Sequence, residues 1–360
     1  MKKLISLLLL LTMCMTLLVG CGGGDPATET GDANDEGKLL VIDGNAAKVV
    51  YISNENASAW QTIGTGYLQT LVEKAGGTCQ IFNPDGDSQK QAQMVEDALV
   101  LKPDVLVIKP IDAVGIVPVL KKVNEAGIPI IALDTGVTGD VKLLTHIQTD
   151  QYSLGSVNAE YVAKIAEETG VEAKVVSILG DITSTIAQDR QKGFNETAAK
   201  SGKVTVLAET ESKWDPNKAY DATKDMFQRF PEANTVFIQA DCMQSGVMQA
   251  LKEMGRLYPL GDPKHVTVVS VDADPSGVKY INEGFCDQCT EHSAALHSDI
   301  AFKVIVDYLH GFEIPSTLYF PTTAVTKENV NSPDRWGTMD VSNVKNWEIM
   351  DQDKYVMQTK

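Results

Sequence analysis

Short apolar runs alternate with amphipathic segments along the chain from residue 48 onwards. Four runs in the first half are bounded by polar turns and read as buried strands: KVVYIS, TCQIFNP, DVLVIKP and IPIIALDT. Between the first two, Ile63, Tyr67, Leu71 and Ala75 recur on one helical face, and Gly76-Gly77 closes the helix. Strands and helices that alternate with short connections predict a parallel sheet covered by helices on both faces.

The same alternation runs a second time. The runs KVVSILG, VTVLAET, TVFIQAD and VTVVSVD are again predicted strands, with helical patterns between them. The chain is therefore predicted to be an α/β protein with two doubly wound parallel-sheet lobes. The last 30 or so residues, from NVNSPDRWG, are less regular and are expected to wrap the surface.

The N-terminus has the layout of a secretion signal. Lys2 and Lys3 precede an apolar run and a small Gly20, so residues 1–20 are predicted to be a signal peptide. Leu-Val-Gly-Cys resembles the lipobox of bacterial lipoproteins, in which the cysteine, here Cys21, becomes a lipid-carrying N-terminus. The alternatives are an ordinary secreted protein and an uncleaved anchor. Residues 21–47, rich in Gly, Asp and Glu, are expected to be a flexible tether.

Charge excludes some partners. The 360-residue chain has a formal net charge of -17, which becomes -19 once Lys2 and Lys3 are removed, because residues 1–20 contain no acid. So acidic a surface disfavours nucleic acid and polybasic attachment to a membrane.

Four cysteines remain after the signal and Cys21: Cys79, Cys242, Cys286 and Cys289. They could form two disulfides, although a protein of this size needs none. The Cys286–Cys289 spacing is compatible with redox or zinc chemistry. In a strand, however, residues three apart point to opposite faces, so plain buried thiols are expected.

The candidate chemistry follows the predicted strands. In open parallel sheets, ligands bind beyond the carboxyl ends of the strands. The residues placed there are Asn56, Trp60, Asp134, Thr135, Arg190, Trp214, Asp241 and Asp272. Carboxylates, amides and a guanidinium hydrogen-bond to hydroxyl groups, and indole faces cover the C–H face of a sugar ring. The alternatives are helix N-caps for the aspartates, core packing for the tryptophans and a surface ion pair for Arg190.

Catalytic and cofactor motifs are absent from the sequence. It has no Gly-x-Ser-x-Gly, no His-Glu-x-x-His, no Walker-type phosphate loop and no Gly-x-Gly-x-x-Gly after a strand. Five scattered histidines have no convincing metal spacing. We therefore expect a binding protein, not an enzyme, with no cofactor and no metal.

Over residues 48–330 the chain resembles the type I periplasmic solute-binding proteins of sugar importers, the family of ribose-binding proteins. The landmarks are KPDVLVIKPIDA, AGIPIIALDT, QDRQKGF and VSVDADPSGVKYINEG, in this order. The resemblance implies two lobes joined by a three-strand hinge, with the ligand in the cleft between them. It places Asn56 and Trp60 in a first binding loop and matches Asp134 to an aspartate that grips sugar hydroxyls. It also implies ligand contacts for Arg190, Trp214 and Asp272 on the second lobe and for His292 beside the hinge.

Three departures from ribose binders put ribose itself in doubt. Thr135 stands where an arginine follows the aspartate, and Ala240 stands where they have asparagine. Asp241, beside it, is either a ligand contact or only a cap. Ala59 and Trp60 replace a pair of phenylalanines. A hexose, another pentose or a polyol is at least as compatible.

The resemblance also implies the domain boundaries and the role. The N-terminal lobe is expected over residues 48–149 and 293–325, and the C-terminal lobe and tail over 150–292 and 326–360. Crossings are expected near 148–151, 291–294 and 324–327. The protein would be a monomeric extracytoplasmic lipoprotein that closes on a sugar or polyol and delivers it to the transmembrane permease of an ABC-type importer.

Three other roles remain open at this stage. A binding protein could report to a chemoreceptor or sensor kinase instead of a permease. A lactose-repressor-like regulator shares the lobes but needs a DNA-binding segment and a basic surface. A secreted carbohydrate-cleaving enzyme would use Asp134 and Asp272 as a carboxylate pair.

Overall fold

The computed structural model describes residues 39–55, 58–320, 322–333 and 335–338, which contain two six-stranded sheets. The predicted signal peptide, Cys21 and Asn56 lie outside the described residues, as do the tether before residue 39 and the tail after residue 338. Within the described part, every helix is too short or too polar to cross a bilayer. The predicted fold class, two doubly wound parallel-sheet lobes, is confirmed.

A hairpin and a parallel sheet form the first lobe. The strands are β1 Val41–Ile42 and β2 Asn45–Ala46 of the hairpin, then β3 Lys48–Ile52, β4 Thr78–Phe82, β5 Val105–Ile108, β6 Ile130–Leu133, β7 Thr145–Thr149 and β13 Thr317–Phe320 of the sheet. The sheet has the order β13-β7-β6-β5-β3-β4. Its helices are α1 Ala59–Lys74, α2 Ser88–Leu101, α3 Val117–Glu125 and α9 Ala294–Leu309.

The second lobe repeats the design. Its strands are β8 Ala173–Leu179, β9 Val204–Glu211, β10 Thr235–Ile238, β11 Thr267–Asp272, β12 Gln288–Glu291 and β14 Thr323–Thr326. They lie in the order β14-β12-β11-β10-β8-β9, and only the pairing of β14 with β12 is antiparallel. Its helices are α4 Gln151–Thr169, α5 Thr185–Ser201, α6 Pro216–Arg229, α7 Gln244–Glu253 and α8 Pro275–Glu283.

Burial on both faces explains why the strands read as unbroken apolar runs. In β3, Val49 and Tyr51 pack into the core formed with α1 and α9, whereas Val50 and Ile52 pack into the core formed with α2 and α3. Successive strand residues point to opposite faces, so both sets must be apolar. Each such side chain contributes about 1.5–3 kcal/mol by leaving water, and this makes the lobes firm supports for the loops at the strand ends.

Three crossings connect the lobes. The chain passes from β7 to α4 and from β12 to α9 at the positions expected near 148–151 and 291–294. The third crossing differs from the expectation, because residues 324–327 mostly belong to β14, which pairs with β12 in the second sheet. The passage comes after the end of β13 at Phe320 and before the start of β14 at Thr323. The stretch STLYFPTTAVT is β-prone throughout, and Pro321, which lacks a ladder donor, is its only break.

The last part of the expected tether is folded. Leu40 is fully buried in the first-lobe core, and its backbone nitrogen donates to the Ala75 oxygen at 2.8 Å. Asp43 and Gly44 both have positive φ, 50° and 80°, as the two central residues of a tight hairpin require. Residues 39–47, expected to belong to the tether, are therefore part of the folded body, and the Asp-Gly pair between apolar residues is the sequence signal for this hairpin.

Part of the expected surface tail is also core. Val330 and Trp336 are 0% and 1% exposed. The Trp336 indole donates through Nε1 to the Asp272 oxygen at 2.8 Å, so this tryptophan supports the end of β11. Gly337 packs so closely that a Cβ there would lie 2.2 Å from the Ala273 oxygen. The irregular sequence thus contains a segment that packs on both lobes, with Val330 in the second-lobe core and Trp336 in the first-lobe core.

The four described cysteines are free thiols. Contrary to the strand-based expectation, Cys286 and Cys289 do not point apart, since their Sγ atoms lie 3.7 Å from each other. The expectation was wrong because β12 begins only at Gln288, and Cys286 lies in the irregular segment before it.

The hairpin gives a first prediction. Leu40→Ala removes a fully buried side chain and should lower the free energy of unfolding by about 2–5 kcal/mol, measured by urea denaturation. Val114→Ala, at a position 62% exposed, is the control and should change it by less than about 0.5 kcal/mol. Equal stability of the two variants would mean that residues 39–47 do not belong to the folded body.

Candidate functional site

The carboxyl ends of the strands, with the loops and helices that follow them, bring polar and aromatic side chains from both lobes together. The residues that meet there are Trp60, Lys109, Asp134, Gln151, Arg190, Asp272 and His292, and all except Gln151 are buried. The sequence predicted four of the six buried side chains in this set as ligand contacts, and the resemblance supplied His292. Lys109 and Gln151 were missed.

Asp134 is the centre of the first-lobe side. It follows β6, and its Oδ2 lies 2.7 Å from Lys109 Nζ. Its Oδ1 accepts from Gln151 Nε2 at 2.8 Å and lies 3.2 Å from His292 Nε2. Burial alone would raise the pKa of this carboxyl, but Lys109 and His292 outweigh it and hold the pKa well below its ordinary value. Asp134 is therefore an anion, and the N-cap alternative does not describe it.

Lys109 is positioned by a polar side chain in the core. It follows β5 and is only 8% exposed. The fully buried Gln91 of α2 donates through Nε2 to the Ser53 and Lys109 oxygens, both at 2.8 Å. The Gln91 Oε1 accepts from the Ile111 nitrogen at 2.9 Å, which fixes the loop after β5. A lysine after an apolar strand, followed by proline, was the available sequence signal.

Arg190 is the cation of the second-lobe side. It projects from α5 and is 2% exposed. Its Nε donates to Gln151 Oε1 at 2.8 Å and one terminal nitrogen donates to the Gln239 oxygen at 2.6 Å. The other terminal nitrogen lies 3.2 Å from His292 Nδ1. Since Gln151 also donates to Asp134, one amide joins the charged groups of the two lobes.

Asp272 ends β11 in a strained conformation. Its φ is 109°, and the following Ala273 has a φ of 53°, so the chain turns sharply here. The Asp272 Oδ1 lies 3.1 Å from His292 Nδ1 and 3.9 Å from an Arg190 nitrogen. The N-cap of α8 is Asp274, whose side chain accepts from two backbone nitrogens, so Asp272 is not the N-cap of this helix.

His292 bridges the lobes at the crossing between β12 and α9. One ring nitrogen faces Asp134 of the first lobe and the other faces Asp272 and Arg190 of the second. A protonated ring donates to both carboxylates. A neutral ring with its proton on Nε2 donates to Asp134 and accepts from Arg190 at Nδ1. The bridge holds in either state, with a different partner on the second lobe.

Trp60 supports His292 and is not an open stacking face. Its ring stacks on the imidazole with centroids 4.9 Å apart and planes at 22°, and its Nε1 donates to the His292 oxygen at 2.8 Å. Lys109 Nζ lies 3.8 Å from the ring centroid, and His297 meets the ring edge-on at 5.1 Å. Burial lowers the pKa of His297 to about 3, so it is neutral.

Trp214 remains available as an aromatic wall. It is half-buried in the loop after β9, with a φ of 61°, and Arg190 lies 5.9 Å from its ring. Gly180 lies flat against the indole, where a Cβ would come within 2.1 Å of the ring. Because Gly180, at the end of the KVVSILG run, has no side chain, the Trp214 indole can lie directly against its backbone.

Asp241 and Thr135 stand apart from the network. The Asp241 carboxylate turns into the second lobe, where it accepts from Ser270 Oγ at 2.6 Å and from the Asp274 nitrogen at 2.9 Å. Burial, together with Cys289 and nearby aspartates, raises the pKa of Asp241 well above its ordinary value. This carboxyl holds the loop behind Asp272 but does not cap a helix, because the N-cap of the short helix that begins at Asp241 is Ala240. Thr135 is half-buried beside Asp134.

The arrangement suits an uncharged polar ligand better than a metal. Two carboxylates, Asp134 and Asp272, are balanced by two cations, Lys109 and Arg190. Ligand atoms of Asp134, His292 and His297 do lie within 4.8 Å of one another, close enough for one metal ion. The Lys109 ammonium, 2.7 Å from the same aspartate, opposes a second cation there.

Comparison with known proteins places this geometry in context. A sequence profile of the periplasmic binding protein domain matches residues 49–313. The ribose import binding protein of Escherichia coli is 30% identical over 217 residues, which are 60% of this chain and 69% of that protein. The xylitol-binding protein of Mycolicibacterium smegmatis is 25% identical over 317 residues, which are 87% of this chain and 83% of that protein.

The fold is shared with a solved binding protein. The periplasmic component of the arabinose ABC transporter of Shewanella sp. ANA-3, bound to α- and β-L-arabinofuranose, superposes with a TM-score of 0.74. The two chains are 21% identical, and the match covers 84% of this chain and 99% of that one.

The buried ion pair gives a second prediction. Asp134→Asn leaves Lys109 buried without its counter-charge and should lower the free energy of unfolding by about 3–5 kcal/mol at pH 7. Adding Lys109→Met should cost much less than the sum of the single changes, which urea denaturation of all four proteins measures. Additive effects would mean that the two charges do not interact.

The same pair predicts a pH dependence. Because the folded pKa of Asp134 lies below the unfolded value of about 3.9, its stabilisation is fully present above that value. It is lost as the pH falls towards the folded pKa. The stability difference between wild type and Asp134→Asn should therefore shrink below about pH 4. If the stability difference between wild type and Asp134→Asn stayed constant from pH 6 to pH 3, the lowered pKa of Asp134 would be contradicted.

Proposed function

The chain belongs to the periplasmic binding protein domain family, and from this premise we propose that it is the extracytoplasmic substrate-binding component of an ABC-type importer. It captures a monosaccharide or related polyol and delivers it to a transmembrane permease, while another chain hydrolyses ATP. The names of its curated relatives, which include ribose import and xylitol-binding proteins, support this class of ligand. These names favour a binding protein that serves import over one that reports only to a chemoreceptor or sensor kinase.

The charge balance of the site is the observation that carries the proposal. Lys109 compensates Asp134, and Arg190 compensates Asp272, so a ligand with a net charge would itself be buried without a counter-charge. A neutral polyhydroxy compound donates to the carboxylates and accepts from the cations without changing that balance. The half-buried Trp214 offers a face to a sugar ring.

Closure follows from where the bridging residues lie. Gln151 begins the helix after the first crossing, and His292 lies in the second, and each contacts charged groups of both lobes. A rotation at the crossings would separate these contacts and admit the ligand. A ligand that binds groups of both lobes stabilises the closed form and shifts the population towards it. The cycle involves no chemical change of the ligand.

The third prediction tests the site. Arg190→Met removes a buried cation that faces the ligand space and should weaken binding of the correct sugar by about thirtyfold or more. Isothermal calorimetry with ribose, xylitol, arabinose, galactose and other neutral monosaccharides identifies the ligand and then measures the variant. The proposed class would be wrong if wild type bound none of the neutral compounds but bound a sugar acid or an amino acid.

Lys192→Met is the matched control. Lys192 lies on the same helix, two residues away, but it is exposed, so the variant loses the same charge without touching the site. We expect its affinity to stay within about twofold of wild type, because a surface charge contributes little. If both variants bind equally well, the ligand site lies elsewhere.

The N-terminus completes the proposal. We infer that Cys21 carries lipid and holds a monomeric binding protein at the membrane, on the strength of Lys2-Lys3, the apolar run and Leu-Val-Gly-Cys. The residues from 22 to 38 then serve as the tether, since residues 39–47 belong to the folded body.

The fourth prediction concerns this anchor. Cys21→Ser removes the only atom that can accept the thioether-linked lipid and should abolish incorporation of labelled fatty acid, with release from the membrane fraction. Cys14→Ser, within the apolar run, is the control and should leave labelling unchanged. Retention of label in Cys21→Ser would refute the lipoprotein assignment and leave ligand binding untouched.

A further inference from the structure

Two thiols lie in contact in the second lobe, behind the ligand site. The Sγ atoms of Cys286 and Cys289 are 3.7 Å apart, and the side chains are 2% and 0% exposed. Cys79 lies in β4 of the other lobe, and Cys242 lies in the turn after β10. The pair therefore stands out among the four described cysteines by geometry.

We propose that Cys286 and Cys289 are a modification site at which an intramolecular disulfide forms when the protein folds outside the cytoplasm. A disulfide oxidant, whether a small molecule or a thiol–disulfide oxidoreductase, accepts the electrons. One S–S bond forms within the protein and its two S–H bonds break. The oxidant's S–S bond takes up the two electrons and two protons and becomes two thiols. Binding proteins of this family act outside the cytoplasm, where such oxidants operate.

The local structure permits the bond. A disulfide needs its sulfurs about 2.05 Å apart, so the two must approach by less than 2 Å in total. Cys286 lies in the irregular segment between Gly284 and β12, which can shift more easily than a paired strand. The sulfur contacts to neighbouring atoms are long, at 3.5 Å from Cys286 to the Val268 oxygen and 3.5 Å from Cys289 to Asp241 Oδ1. These weak contacts give little resistance to the movement.

Burial decides when the bond forms and how long it lasts. Desolvation raises the pKa of the Cys286 thiol and raises that of Cys289 well above its ordinary value. The reactive thiolate is thus scarce once the lobe has closed around the pair. Oxidation then takes place in the unfolded or partly folded chain, and the completed disulfide is shielded from reductants.

The position connects the bond to the ligand site through one residue. Cys289 contacts Asp241, and the Asp241 nitrogen donates to Asp272 Oδ2 at 3.2 Å. A disulfide across the start of β12 also fixes the strand that leads directly to His292. The oxidised lobe should therefore resist unfolding better than the reduced lobe.

The test maps peptides of the full chain. Protein secreted from its host is trapped with an alkylating agent before unfolding, then unfolded with more agent and digested with trypsin. No lysine or arginine occurs between Lys279 and Lys303, so residues 280–303 form one peptide that holds both cysteines and no other. We expect this peptide unalkylated and ~2 Da below its dithiol mass, because two hydrogens are lost. Reduction should make both sites available to the agent.

The other cysteines provide internal controls. Cys79 lies in the tryptic peptide 75–90 and Cys242 in 230–252, and both should be alkylated in the same digest. Cys79→Ser should leave peptide 280–303 linked, whereas Cys286→Ser should leave Cys289 alkylated. Recovery of peptide 280–303 from wild type with both cysteines alkylated, or with either joined to another peptide, would overturn the proposal.

A second measurement does not depend on the secreted sample or on the folding of any variant. Reduced wild-type protein is unfolded in guanidinium and refolded in a buffer of reduced and oxidised glutathione, and the refolded monomer is isolated before mapping. We expect the linked peptide and a higher thermal midpoint than in protein refolded with reductant alone. Native monomer that carries free Cys286 and Cys289 from the oxidising buffer would contradict the proposal as clearly as the first result.

Discussion

Two carboxylates and two cations are buried together between the lobes, and their need for partners shapes the surrounding structure. Removing an ion from water costs several kcal/mol unless a counter-charge and hydrogen bonds replace the water. Asp134 meets this need with Lys109, Gln151 and His292, which come from three different segments. Arg190 meets it with Gln151, the Gln239 oxygen and His292. The site can exist only where loops from both lobes converge.

The doubly wound fold supplies that convergence, at the cost of local strain. Parallel strands end at one edge of each sheet, so short loops can deliver side chains to a common space. Three of the residues involved, Asp134, Trp214 and Asp272, have positive φ values of 56°, 61° and 109°. Such conformations cost about 1–3 kcal/mol in general and persist where packing over-determines them. Here the lobe cores, Trp336 beneath Asp272 and Gly180 beneath Trp214 provide that packing.

The same design builds the site from two separately supported halves. Strands covered on both faces hold each half of the site fixed, and the chain passes between the lobes at the crossings. His292 lies in one of them with Trp60 stacked on its ring and bonded to its oxygen. The first tryptophan therefore maintains the bridge, whereas the second, Trp214, is half-buried in the loop after β9. Two residues of one type, each after a strand, differ because Trp60 packs on a residue at a crossing, whereas Trp214 is half-buried in a loop.

The sequence by itself determined the elements and their class. Apolar runs, helical spacing and turn residues are local, so strands such as KVVYIS and the alternation that makes two parallel sheets could be read from the chain. The ends of the strands can also be located from local sequence, and this made Asp134, Arg190 and Asp272 candidate ligand contacts. The hairpin at Asp43-Gly44 was readable by the same logic, although the polar tether before it hid the signal.

Only the tertiary structure decided which of these residues share a network and what each one does. Lys109 follows a strand as the predicted site residues do, but its role, like that of Gln151, depends on the charge opposite it and not on its neighbours along the chain. Asp241 and Asp272 follow similar strands, yet one turns into the lobe and the other towards the lobe interface. Cys286 and Cys289 are in contact because β12 begins at Gln288, two residues after Cys286, so that Cys286 is not held in the strand. Spacing along a chain fixes local geometry, whereas the energy of a buried charge or thiol depends on groups that folding brings from far away.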